Sequence, residues 1–62
     1  MLLDRDYKWC AETMLSKYGL AALSRAEHKA LEMLRDGNPS GYDIWTRVDA
    51  TIRQIQASAQ AA

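Results

Sequence analysis

A chain of 62 residues with eight basic and eight acidic side chains has room for one small domain and no charge surplus. That balance argues against general nucleic-acid or anionic-membrane binding, both of which rest on excess Lys and Arg. One cysteine, Cys10, and one histidine, His28, exclude an intrachain disulfide and a structural zinc site, which needs four such ligands. A single core of this size rarely contributes more than roughly 3–5 kcal/mol, so close helix packing or a partner chain is the expected support. No apolar run approaches the ~20 residues of a membrane span. Met1-Leu2-Leu3 is too short for a secretory leader, and an unpaired thiol suits a reducing compartment. The expected location is cytoplasmic.

The first predicted helix covers about 4–18. Asp4 or Asp6 can cap its start. Leu3, Tyr7, Cys10, Ala11, Met14, Leu15 and Tyr18 recur at three- and four-residue spacings, which places them on one face. Lys17 suits the negative end of the helix dipole, and Gly19 can take the backbone conformation that closes the helix.

The second predicted helix covers about 20–36. Leu20, Leu23, Ala26, Ala30, Leu31, Met33 and Leu34 are read as its apolar face, with Arg25, His28, Lys29 and Glu32 turned away. Ser24 and Glu27 have the spacing of a capping box, which would start the helix at Arg25. Leu20-Ala21-Ala22-Leu23 keeps the apolar phase, which favours one continuous helix ended by Gly37.

The third predicted helix covers about 39–57. Asn38 is a good N-cap, and Pro39 sits at the first helical position, where a missing N–H costs nothing. Gly41, Trp45, Val48, Ile52, Ile55 and Ala59 alternate steps of four and three, and Ile44 widens the stripe. Residues 58–62 are expected to fray. No segment alternates with period two, so no strand is predicted. The fold class is therefore all-α: a small three-helix bundle, up-down-up, forming one domain over 1–62. Leu15, Leu34, Trp45, Val48 and Ile52 are expected at its centre. The short link between the second and third helices implies antiparallel packing, with Gly41 against a neighbouring backbone.

Gly19, Ala30, Leu34, Gly37, Asn38, Gly41, Ile44-Trp45, Arg47-Val48, Ile52, Ile55 and Gln56 resemble a group of short alphaproteobacterial proteins. Their pattern is Gly-[Asp/Asn]-x-x-Gly-x-x-[Val/Ile]-Trp-x-Arg-[Val/Ile]. Here Asn38 stands for the Asp, Thr51 for an Ala and Ile55 for a Leu. The resemblance spans about 18–56 and implies no activity, because those proteins are uncharacterised. Leu23-Ser24, Glu27, Ala30-Leu31, Leu34 and Gly37 are also similar to the scaffold helix of LuxR-type helix-turn-helix regulators. That likeness stops at Gly37, with no recognition helix rich in Arg, Lys, Asn or Gln beyond it.

Reactive chemistry is sparse. Cys10 lies between Tyr7 and Met14 on the apolar stripe and reads as a small core residue, since a nucleophile needs an adjacent base. His28, the only candidate base, falls on the polar side of the second helix. Glu27 falls inside the apolar arc, so it must be paired, capped or at the rim. Glu27 and Arg47 are the candidate buried polar residues, and Arg47 or Thr51 is the expected partner of Glu27.

Trp9 lies opposite the stripe, with Leu2 on its side of the helix and Tyr42 on the flank of the third helix. It is either an isolated exposed aromatic or part of a contact patch of Leu2, Trp9 and Tyr42. No catalytic residue, cofactor site or metal site is assigned. The expected function is a non-enzymatic module that contacts an unknown protein or a second copy of itself. The rival is a small DNA-binding regulator with a helix-turn-helix-like scaffold. Convergence of Arg25, Lys29, Arg47 and Arg53 on one surface free of acids would favour the rival.

Overall fold

The computed structural model describes residues 3–61, with side chains described through residue 59. Helix accounts for 93% of the structure, and no strand occurs among the described residues. The elements are α1 (Asp4–Tyr18), a 3-10 turn (Gly19–Ala21), α2 (Ala22–Arg35) and α3 (Pro39–Ala61). No non-helical residue separates α1 from α2. The chain is therefore two helical runs, 4–35 and 39–61, with the first redirected at Gly19, rather than the three separate helices of the expected bundle. The physical reason lies in Leu20-Ala21-Ala22. These residues have good helix propensity, so helical turns resume as soon as Gly19, at φ 57°, has bent the chain.

Local chemistry sets the boundaries. The Leu3 amide donates to the Asp6 carboxylate at 2.8 Å, so Asp6 rather than Asp4 closes the start of α1. At the end of α2, Gly37 adopts φ 71°. The Asn38 amide donates to the Met33 carbonyl and the Gly37 amide to the Leu34 carbonyl, the paired bonds of a Schellman ending. Asn38 then begins α3: its side-chain Oδ1 accepts the Gly41 amide at 2.9 Å, and its carbonyl accepts the Tyr42 amide. The predicted end of α3 near residue 57 is corrected, because the helix continues to Ala61. Ala57-Ser58-Ala59-Gln60-Ala61 contains no glycine or proline to stop it and is rich in helix formers. The last residue of the expected frayed tail, Ala62, lies outside the described residues.

α2 and α3 are antiparallel: Glu27 meets Arg53 near one end, and Met33 meets Asn38 and Gly41 near the other. The core is built from Tyr7, Ala11, Ala22, Ala26, Val48 and Ile52, with Ala30 also buried. Val48 and Ile52 are the largest fully buried side chains. Leu15 and Trp45 pack against this cluster only partly buried, and Leu34, expected at the centre, is 57% exposed. Small side chains explain the arrangement. Three buried alanines on α2 let its backbone approach Val48 and Ile52 of α3 closely, leaving no depth for leucines at the crossing.

Gly41 answers a related constraint. A Cβ there would lie 2.7 Å from Met33 Sδ and 2.9 Å from the Asn38 side-chain nitrogen. The close neighbours are side chains, not the backbone expected from sequence. The glycine makes room for its own N-cap.

Candidate functional site

α2 carries two rows of side chains. Ala22, Ala26 and Ala30 are buried, with Met33 half-buried beside them. A second row, turned by roughly 120° about the helix axis, starts at Leu20 in the preceding turn and continues through Ser24, Glu27, Leu31 and Leu34, all exposed. Leu20 is 97% exposed and Leu31 57%. Leu31 and Leu34 of α2, with Leu20 of the turn before it, thus face outward while the alanines face the core, where Leu23 joins them partly buried.

This outer row borders a shallow groove between α2 and α3, lined by Glu27, Ala30, Leu31, Tyr42, Thr46 and Asp49. Its apolar surface comes from Leu31, Ala30 and the ring of Tyr42. One end is ionic. Arg53 Nη2 lies 2.8 Å from Glu27 Oε1, and Arg53 Nε lies 3.4 Å from Asp49 Oδ2. Asp49 Oδ1 is buried and has no hydrogen-bond partner among the described residues. The cluster holds two carboxylates against one guanidinium.

Several sequence-based assignments change here. Glu27 and Arg47 are both exposed, not buried, and no buried polar or charged residue occurs among the described residues. Glu27 sits at the rim of the α2–α3 interface and pairs with Arg53, not Arg47 or Thr51. The helical phase places Arg53 on the Tyr42-Thr46-Asp49 flank that faces Glu27. Arg47 lies on a different face of α3, where it pairs with Asp43 at 3.5 Å and stands 5.6 Å from the centroid of the Tyr7 ring. The Thr51 hydroxyl donates to the Arg47 carbonyl within α3.

The aromatic patch also divides. Trp9 is 68% exposed on a face of α1 turned away from the buried Tyr7 and Ala11. Tyr42 lines the α2–α3 groove with Leu31 instead, and Leu2 lies outside the described residues. Hydropathy alone assigns Leu20, Leu31 and Leu34 to the core face, which hides the groove. Glu27, in the middle of that row, was the sequence signal that the row meets water.

Cys10 is partly buried against the core. His28 is exposed, with Nε2 3.3 Å from Glu32. A larger cleft between α1 and α3 is lined by Tyr7, Lys8, Arg47, Thr51, Gln54 and Ile55, among others. Asp4 and Ser58 also line it, and its Thr51 hydroxyl is taken up by the Arg47 carbonyl. No group of three or more His, Cys, Asp and Glu among the described residues could hold a metal ion, and no helix is long and apolar enough to cross a membrane. No family model, curated protein or solved structure matches this chain. Gly37 supplies positive φ, Asn38 caps α3, Gly41 clears the cap, and Val48 and Ile52 fill the core.

Proposed function

We infer that this chain is a non-enzymatic helical module that works by contacting another protein, a second copy of itself included. The observation that carries the reading is that α2 buries its alanines while Leu31 and Leu34, with Leu20 in the turn before it, are exposed. Isolated exposed leucines are ordinary, but Leu31 and Leu34, one turn apart beside a groove that also holds Tyr42, form an apolar patch of the kind contact surfaces use. The small core adds a reason, since a domain of this size gains proportionally from any further burial. The unpaired thiol fits action in a reducing compartment.

The DNA-binding alternative draws little support from the charges. Lys29, Arg47 and Arg53 each have a carboxylate within 3.5 Å, and Arg25 stands 5.0 Å from the Tyr18 ring centroid. Those cations do not form the acid-free patch that phosphate binding uses.

The test is site-directed photo-crosslinking in living cells, with the reactive residue placed at positions 9, 20, 31 or 34 and, as a control, at the polar position 12. Crosslinks to defined proteins from the apolar positions, absent from position 12, are expected. No protein adduct from any apolar position would refute the reading.

A further inference from the structure

We propose that the outer row of α2 is a self-association face on which a second copy packs antiparallel, with Leu31 on the two-fold axis. The proposal rests on the interaction reading above and names the partner.

On α2, Ser24, Glu27, Leu31 and Leu34 are spaced by three, four and three residues, which keeps them on one face of the helix. All are exposed in the single chain. Glu27 and Arg35 stand four residues to either side of Leu31. In a two-fold pair an antiparallel partner brings position 31−k against position 31+k, so the same patch meets itself with its ends exchanged. Glu27 then faces Arg35 of the second copy, and Arg35 faces the second copy's Glu27. A parallel pair would set Glu27 against Glu27 and Arg35 against Arg35, which the charges oppose.

The ionic end of the groove points the same way. Glu27 and Asp49 share the single guanidinium of Arg53, which leaves the cluster one positive charge short. Arg35 is exposed and makes no ion pair among the described residues. Arg35 of a second copy supplies the missing cation at the place where one is lacking. Leu31 meets its own copy on the axis, Leu34 lies against position 28 of the second copy, and the charges set the direction of the pairing.

Sedimentation velocity over a range of concentrations, with circular dichroism to check folding, tests the pairing. The parent should self-associate. Glu27→Arg and Arg35→Glu should each weaken that association at least tenfold, because each reversal creates two like-charge contacts across the axis. An equimolar mixture of the two variants should form a heterodimer, since every 27–35 contact is again between opposite charges. The double variant E27R/R35E should recover self-association. Arg35→Glu disturbs no ion pair within the chain, so it remains informative if Glu27→Arg folds poorly.

A parent that stays monomeric at millimolar concentration overturns the proposal. So do single variants that associate as tightly as the parent, or a mixture that forms no heterodimer. If position 31 crosslinks in cells to a different protein while the pure chain stays monomeric, the self-pairing fails and the wider interaction reading stands.

Discussion

Replacing Ile52 by alanine tests whether the core lies where the structure puts it. Ile52 is fully buried. The change removes three carbon atoms, and at ~0.8 kcal/mol per buried methylene the transfer loss alone is about 2.4 kcal/mol. A cavity adds to this unless neighbours collapse into it. The cluster around Ile52 includes Ala11, Ala22 and Ala26, whose side chains have no length with which to fill the gap. A total of about 3.5 kcal/mol follows, close to the roughly 3–5 kcal/mol that a core of this size contributes. The variant should be largely unfolded in water at room temperature.

Leu34→Ala is the matched control. It is also a large aliphatic-to-alanine change, but at a position more than half exposed, and the expected cost is below about 1 kcal/mol. Urea titration followed by circular dichroism, at concentrations too low for self-association to add stability, measures both. If Leu34→Ala costs as much as Ile52→Ala, α2 is rotated from the phase described and the argument for its exposed row collapses.

Gly41→Ala should cost about 1–3 kcal/mol, because the new methyl must displace Met33 Sδ or the Asn38 cap. Adding Met33→Ala should recover part of the loss in a double-mutant cycle, and strict additivity would show that the contact is not the cause. Gly37→Ala should lower stability by about 1 kcal/mol, since alanine is strained at φ 71°. Gly37→Asn should cost less, and equal melting of Gly37→Ala and parent would refute the positive-φ requirement. Trp9→Ala should leave the monomer's urea midpoint within about 0.5 kcal/mol of the parent's stability, as befits an exposed side chain. A large loss would mean that Trp9 packs within the chain.

The turns and the start of α3 are readable because single residues set them, whereas the end of α3 is not, because nothing in Ala57-Ser58-Ala59-Gln60-Ala61 stops a helix. Gly19 and Gly37 have positive φ, and Asn38-Pro39 starts α3 with a side-chain cap. Their identities restrict the local backbone whatever surrounds them. The phase of α2 was not readable from hydropathy alone. Leu20, Leu23, Ala26, Ala30, Leu31, Met33 and Leu34 span too wide an arc to be a single buried stripe. Choosing between its two edges depends on how closely α3 approaches, a long-range fact. Hydropathy favours leucine for the inside, whereas a close crossing favours alanine. Glu27 resolved the ambiguity in principle, since an ionised side chain in the leucine row costs much less at a wet surface than inside. Its partner remained out of reach, because Arg47 and Arg53 differ only in which flank of α3 they occupy.

The shared residue at the α2–α3 corner carries a consequence for cooperativity. Asn38 uses its backbone amide to finish α2 and its side chain to begin α3. Helix ends ordinarily fray one at a time, each losing only its own last turn. Here the same few torsion angles satisfy both ends, so opening one releases the other. The corner therefore behaves as a single locked unit. Because its contacts are close in sequence, the antiparallel hairpin of α2 and α3 is suited to forming early, with little loop entropy to overcome.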